Sequence, residues 1–234
     1  MVFKRLFVPL GVLLLSGCSA TSVTTLDTLR YALLGSDDVQ VSAEQVQRVP
    51  YASAYLQVGD NPRAFVVLAF ADPEGSLTWA SADNNIFVTK QGRLIKTVGL
   101  ANDLYRLTSG QPGPLQQLAT HATTQAVTHV VTMGVADKLA LAPWHYQGEW
   151  TQDYVSGDQL TAHIDQISEQ QLTIQDKSYS VWLLEERVEM AHTKQRWHNR
   201  YWMDRHTGRI MQSEQQLGPD LPVIKMTILK PYAL

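Results

Sequence analysis

The chain has 234 residues, of which 44% are hydrophobic, so it is long and apolar enough to fold around a substantial core. Its formal net charge of −3 argues against nucleic acid as a partner, because phosphate binding needs a basic face. Cys18 is the only cysteine, which excludes intramolecular disulfides, thiolate zinc sites and a separate catalytic cysteine.

The first 17 residues predict a lipoprotein signal peptide that is cleaved from the mature protein. Lys4 and Arg5 form a basic start, and the apolar run 6–15 is about half the length that a transmembrane helix needs. Ser16 and Gly17 are small, as a signal peptidase requires beside the scissile bond. We therefore expect residues 1–17 to be removed and residues 18–234 to form the mature β domain, with 17 basic and 22 acidic residues and a net charge of −5.

Cys18 is then the first residue of the mature chain and the predicted site of lipidation. Acyl chains on its thiol and on the new amine contribute about 0.8 kcal/mol for each buried methylene group, enough for stable anchoring. The residue after the cysteine is Ser19. An aspartate at this position would favour retention in the inner membrane. We predict an anchor in outer-membrane lipid, with the protein facing the periplasm.

Two short helices are predicted near the N-terminus, and strands follow. Leu26, Leu29 and Leu33 share one face of a helix over 25–34 that Gly35 ends, and Ser42 opens a helical turn to Val46 with capping-box spacing. From there the hydrophobic period becomes two, and turn residues separate the runs. The predicted strands of the first half are Tyr51–Val58, Ala64–Ala71, Ser76–Ala82, Ile86–Thr89 and Arg93–Val98.

The Pro/Gly cluster 109–114 predicts a linker and an internal boundary between two halves. Residues 115–124 are ambiguous, and the run 126–135 is rich in β-forming residues. The second half repeats the hairpin pattern over 162–167, 171–174, 180–190, 196–204, 209–216 and 223–229. The predicted fold is therefore mainly β, a large antiparallel meander curled into a partly open barrel or divided into two β subdomains, with one or two short N-terminal helices.

No local motif for catalysis, metal binding or a cofactor is present in the sequence. None of the seven histidines has another three to five residues away, and the nucleophile elbow, the phosphate loop and the dinucleotide fingerprint are all missing. We predict no metal and no cofactor. Two catalytic carboxylates that come from distant strands show no characteristic spacing in the sequence. A glycan hydrolase therefore stays open as an alternative.

Aromatic and charged residues give the candidates for glycan contact, because flat rings hold sugars beside polar neighbours. The same residues also suit a sheet core, with Trp79 pointing inward and Asp83 opening a hairpin turn. Glu185, Glu186 and Glu189 are interpreted as a solvated strand edge. The glycan-contact candidates are Trp79, Asp83, Arg93, Trp197 and Trp202.

Several blocks in a fixed order resemble the YjbF/GfcB family of lipoproteins, over nearly the whole mature chain. The Trp-x-Ser-x-Asp block at 79–83 and the Gly-Arg-Leu-x-Lys-Thr block at 92–97 are the most specific. Asn84 and Asn85 depart from the family pattern, which has a small residue after the aspartate, so the turn type there is open. The other blocks are Pro50–Tyr55, Phe65–Leu68, Gly99–Leu100 with Asp103–Leu104, Asn199–Asp204, Thr207–Gly208, Ser213–Gln215 and Ile224–Pro231.

The resemblance implies an outer-membrane lipoprotein of exopolysaccharide or group 4 capsule operons, without enzymatic activity. Its implied partners are the polysaccharide or the proteins that export it, and only Cys18 carries over a role. Two alternatives remain at this point. One is a glycan-active hydrolase or deacetylase with two carboxyl groups in a cleft. The other is a carrier for lipid or lipoprotein, which requires an apolar cavity of several hundred Å³.

Overall fold

A computed structural model describes residues 38–122, 141–151 and 157–233. These residues form two helices, α1 and α2, and a single antiparallel sheet of twelve strands. The helices are α1 Ala43–Arg48 and α2 Pro114–Ala122. The strands are β1 Ser53–Val58, β2 Ala64–Ala71, β3 Ser76–Ser81, β4 Ile86–Lys90, β5 Arg93–Val98, β6 Leu104–Thr108, β7 Trp144–Trp150, β8 Asp158–Ile174, β9 Lys177–Met190, β10 Arg196–Asp204, β11 Ile210–Gln216 and β12 Val223–Lys230.

The sheet is a meander whose first and last strands meet in its middle. The strand order is β5-β4-β3-β2-β1-β12-β11-β10-β9-β8-β7-β6, with Ser53 of β1 opposite Lys230 of β12. The two edge strands, β5 and β6, are neighbours along the chain. The Leu104 amide of β6 donates to Thr97 Oγ1 of β5 at 2.9 Å, so the edges approach each other and the sheet forms a nearly closed barrel. The predicted mainly β fold with a partly open barrel is confirmed.

Side chains from alternating strand positions occupy most of the barrel interior. One apolar cluster joins β1–β5 to β12 around Trp79 and Phe87, and another lies between β7 and β10 around Trp144 and Trp197. α2 presents Leu115 and other apolar side chains to a third cluster on β9 and β10. The core therefore runs through both halves of the chain.

α1 shows how the local sequence sets an element. Ser42 accepts the Gln45 amide, and the Gln45 side chain accepts the Ser42 amide at 2.7 Å, so both halves of the predicted capping box are present. Val46 is fully buried against Leu229 and against Ile174 at the tip of the long β8–β9 hairpin. The helix thus packs on the outer face of the sheet, and the prediction of a short helix here is confirmed.

Some observed elements differ from the predicted ones. β6 and β7 were not predicted, and the predicted segments 162–167 and 171–174 belong to one strand, β8, whose register shifts between Ile164 and Gln166. The ambiguous residues 115–122 lie in α2. The predicted helix over 25–34 and the β-rich run over 126–135 lie outside the described residues. The predicted boundary at 109–114 falls in the connection between β6 and α2, and the separation into two units stays a prediction.

Candidate functional site

An ion pair between Arg93 and Glu186 lies at the centre of the barrel. Arg93 is the first residue of β5 and Glu186 is in the middle of β9; the two residues are 6% and 0% exposed. Arg93 Nη1 donates to Glu186 Oε2 at 3.0 Å, and Nη2 bonds the other carboxylate oxygen, so the contact is bidentate. The pair therefore ties an edge strand to the opposite wall.

Neighbouring amide and hydroxyl groups complete the hydrogen bonding of this pair. Asn199 Nδ2 donates to Glu186 Oε2 at 3.0 Å, and the Tyr201 hydroxyl is 3.3 Å from both that oxygen and Gln215 Oε1. Gln215 Oε1 also accepts the backbone amide of Leu94 at 2.9 Å. We call these residues of β5 and β9–β11 the central polar cluster, and its full hydrogen bonding compensates for its burial.

Aromatic rings surround the Arg93 guanidinium. Its carbon is 4.7 Å from the ring centroid of Trp144 and 5.3 Å from that of Tyr201, within cation–π range. Burial disfavours its charged form, but the Glu186 carboxylate and the tyrosine rings outweigh that cost and raise the pKa of Arg93. Burial also raises the pKa of Tyr146 and Tyr201. The cluster thus holds one fixed charge pair and neutral phenols at physiological pH.

A polar groove lies beside this cluster, where β5 and β6 separate. Its volume is about 480 Å³, and we call it the seam groove. Arg93 and Trp144 reach its inner wall. Trp144 stacks on Tyr146 at 4.2 Å between centroids, and its ring also packs against the Arg93 guanidinium. The other lining residues are Glu74, Ser76, Lys90, Gln91, Ile95, Leu107–Gly113, Leu115 and Gln116.

The structure does not bring the five glycan-contact candidates together. Trp79 is 1% exposed, and its Nε1 donates to Thr89 Oγ1 at 2.9 Å. Trp197 lies in an interior cluster at 5% exposure, and Trp202, at 8%, packs with Val181 and Leu183 in a different cluster. These positions support a packing role, and glycan contact by the three rings stays a prediction.

The other two candidates lie in contrasting environments. Asp83 is exposed in the turn between β3 and β4, where Asn84 takes a φ of 62°. Asparagine tolerates this left-handed conformation, which accounts for the departure from the family pattern at that turn. Arg93 is the one candidate that lines the seam groove, and its guanidinium belongs to the central polar cluster.

The interpretation of Glu186 as part of a solvated edge is wrong. Along β9, Trp182, Leu184, Val188 and Met190 all face the interior, and Glu186 has the same parity. A carboxylate among four apolar residues of one face was the signal that could have identified it. Its partner was present in the sequence as Arg93, but nothing there linked β5 to β9.

Within the described ranges, no three histidine, cysteine, aspartate or glutamate side chains form a group that could hold a metal ion. Across the same residues, no helix combines the length and the apolar character needed to cross a membrane. The site chemistry consists of a neutralised ion pair, hydrogen-bonding amides and aromatic rings.

The chain is similar to known proteins over most of its length. The family model for the group 4 capsule polysaccharide lipoprotein gfcB, YjbF, matches residues 26–229. Two lipoproteins of Escherichia coli K12, both named as uncharacterized, are similar: GfcB is 30% identical over 229 residues, and YjbF is 33% identical over 231 residues. Each alignment covers 97% of this chain and at least 98% of the relative.

The crystal structure of the hypothetical lipoprotein YmcC from Escherichia coli K12 has a similar fold. The TM-score is 0.66 at 30% sequence identity, and the match covers 89% of this chain and 97% of that one. These likenesses span nearly all of the matched proteins, so they concern the whole domain rather than a single motif.

Proposed function

The chain belongs to the group 4 capsule polysaccharide lipoprotein family, and from that premise we propose that it is a non-enzymatic accessory protein of capsule or exopolysaccharide production or export. Acylated Cys18 anchors it in the outer membrane, facing the periplasm, and the seam groove contacts the polymer. The family match agrees with the resemblance found in the sequence, and it supports the capsule context of this proposal.

The polar seam groove is the observation that carries the polymer contact. Its volume of about 480 Å³ is within the range of about 300–1,000 Å³ typical of small-molecule sites, and it suits a short stretch of saccharide. Lys90, Gln91 and Gln116 supply hydrogen-bond donors for hydroxyl or carboxylate groups. Because the groove lies where the strand ladder is interrupted, it is open to a chain longer than the groove itself.

The environment of Glu186 supports a role without catalysis. It is the only buried carboxyl group among the described residues, and a glycosidase acid or base must be free to exchange a proton. Here Arg93 neutralises the carboxylate and Asn199 donates to it. A carboxylate held in this way has a structural role. Glu186 therefore gives no support to the hydrolase alternative.

Removing the anchor tests the location. The gene is deleted and then complemented with the wild type or with Cys18→Ala, and surface polysaccharide and the membrane fraction are measured. We expect Cys18→Ala to abolish recovery of the protein with the outer membrane and to reduce surface polymer. Full restoration of export by the unanchored protein would show that membrane tethering is dispensable.

Two lysines provide a matched test of the groove. Lys90 lines it, whereas Lys96 is exposed on β5 outside it, 5.5 Å from the Tyr105 ring. Binding of capsular polysaccharide, purified from the wild-type strain, is measured with the full chain by surface plasmon resonance. We expect Lys90→Ala to weaken binding and Lys96→Ala to leave it unchanged. Equal affinities would contradict polymer binding in the groove and would favour the export proteins as partners.

A further inference from the structure

A second cavity, whose lining shares only Gln91 with the seam groove, lies inside the barrel between β3 and β12. Its volume is about 340 Å³. Leu77 and Trp79 of β3 line it from one side, and Met226 and Ile228 of β12 line it from the other. We call it the apolar cavity. Ligand-binding cavities start at about 300 Å³, and an apolar cavity of about 150 Å³ already stays dry and takes a benzene-sized molecule.

Polar atoms of the inner wall already have hydrogen-bond partners within the protein. Thr89 Oγ1 accepts the indole N–H of Trp79 at 2.9 Å, and Ser213 Oγ accepts Gln215 Nε2 at 3.0 Å. A sugar in this cavity would therefore lose the hydrogen bonds of its hydroxyl groups to water without replacing them. A hydrocarbon loses none, so the wall chemistry selects an apolar occupant.

Apart from Thr89 on β4 and Gln212 and Ser213 on β11, the polar lining residues lie at one end of the cavity, in the turns. Asp72 and Gly75 belong to the β2–β3 turn, Gln91 to the β4–β5 turn and Thr207 to the β10–β11 turn. Tyr232, beyond the end of β12, is 38% exposed there. An occupant with one apolar end and one polar end can bury the first and keep the second in water at this rim.

We propose that the apolar cavity binds a single acyl chain, with the polar head group of that amphiphile at the turn end of the barrel. The site is independent of the polymer contact proposed for the seam groove. Each methylene that enters an apolar site improves affinity roughly fourfold, so affinity should rise with chain length until the cavity is full.

Two alanines of β2 offer a matched pair of variants. Ala71 lines the cavity, whereas Ala69 is exposed and is not among the lining residues. Ala71→Phe and Ala69→Phe make the same chemical change on the same strand, but only Ala71→Phe places the new ring in the cavity. Met226→Trp fills it from the opposite wall and serves if Ala71→Phe does not fold.

The probes are octanoate, dodecanoate and hexadecanoate, below their micelle-forming concentrations, titrated against delipidated full chain carrying Cys18→Ala. Displacement of a fluorescent fatty acid reports affinity and stoichiometry. We expect one site, affinity that rises with chain length and then levels off, a loss of about tenfold or more in Ala71→Phe, and wild-type affinity in Ala69→Phe. Equal affinities in the two folded variants, or many molecules bound per chain without levelling, would overturn the proposal. Because no polysaccharide is present, the result is independent of the polymer contact.

Discussion

Replacing Glu186 with glutamine leaves the Arg93 guanidinium buried and without a counter-ion. Arginine cannot lose its proton to relieve the cost, and the Glu186 carboxylate that outweighs burial and raises the Arg93 pKa would be gone. Removing one member of a buried ion pair costs about 3–5 kcal/mol. We therefore expect Glu186→Gln to lower the free energy of unfolding by about that amount.

The structure also provides the control for this experiment. Arg187, the next residue on β9, pairs with Asp165 at 2.8 Å, and the two side chains are 32% and 42% exposed. Asp165→Asn makes the same change from carboxylate to amide in a solvated pair, which contributes about 0–1 kcal/mol. The two variants thus differ mainly in burial.

Urea-induced unfolding followed by far-ultraviolet circular dichroism measures both variants, and thermal unfolding gives a second estimate. For a domain of this size about 1 kcal/mol corresponds to about 2–4 °C, so Glu186→Gln should lower the Tm by about 6–20 °C. The double variant Arg93→Met/Glu186→Met removes both charges and should recover most of the loss. The reasoning is refuted if Glu186→Gln costs no more than Asp165→Asn.

Three further predictions concern local geometry. Gly92→Ala should destabilise the protein by about 1–3 kcal/mol more than Gly75→Ala, as measured by urea unfolding. Both glycines have positive φ, but a Cβ at Gly92 would lie 2.4 Å from the Ile210 side chain, whereas one at Gly75 would meet nothing within 4 Å. Thr97→Val removes the acceptor for the Leu104 amide at the seam and should cost about 1–3 kcal/mol, with faster hydrogen exchange of that amide. Ser42→Ala should cost about 1 kcal/mol and accelerate amide exchange in α1, since it removes the capping box.

Much of the fold follows from local patterns. Period-two alternation and turn residues were enough to find most of the strands, and the capping box was enough to find α1. β7 was missed because its sequence, Trp-His-Tyr-Gln-Gly-Glu-Trp, places aromatics around a glycine rather than β-branched residues. That glycine, Gly148, leaves room for the Trp150 ring, which a Cβ there would meet at 2.5 Å.

The candidate site was harder to predict because its parts lie far apart in sequence. Gly92 and Arg93 belong to the Gly-Arg-Leu-x-Lys-Thr block, and the structure gives each of them a long-range contact. Gly92 lies against Ile210 of β11, and Arg93 reaches Glu186. Barrel closure creates both contacts, so no spacing rule within the sequence could have paired these residues. Tryptophans, by contrast, serve cores and sugar sites equally well, and composition alone does not separate the two uses.

The meeting of β1 and β12 in the middle of the sheet makes the barrel depend on a single long-range pairing. Until β12 pairs, β1–β5 and β6–β11 are two sheets whose inner edges, β1 and β11, are open. Pairings of such long sequence separation form slowly, and edges exposed meanwhile can accept a strand from another molecule. A second copy could therefore insert its own β12 between β1 and β11, which makes this strand the natural element for domain swapping.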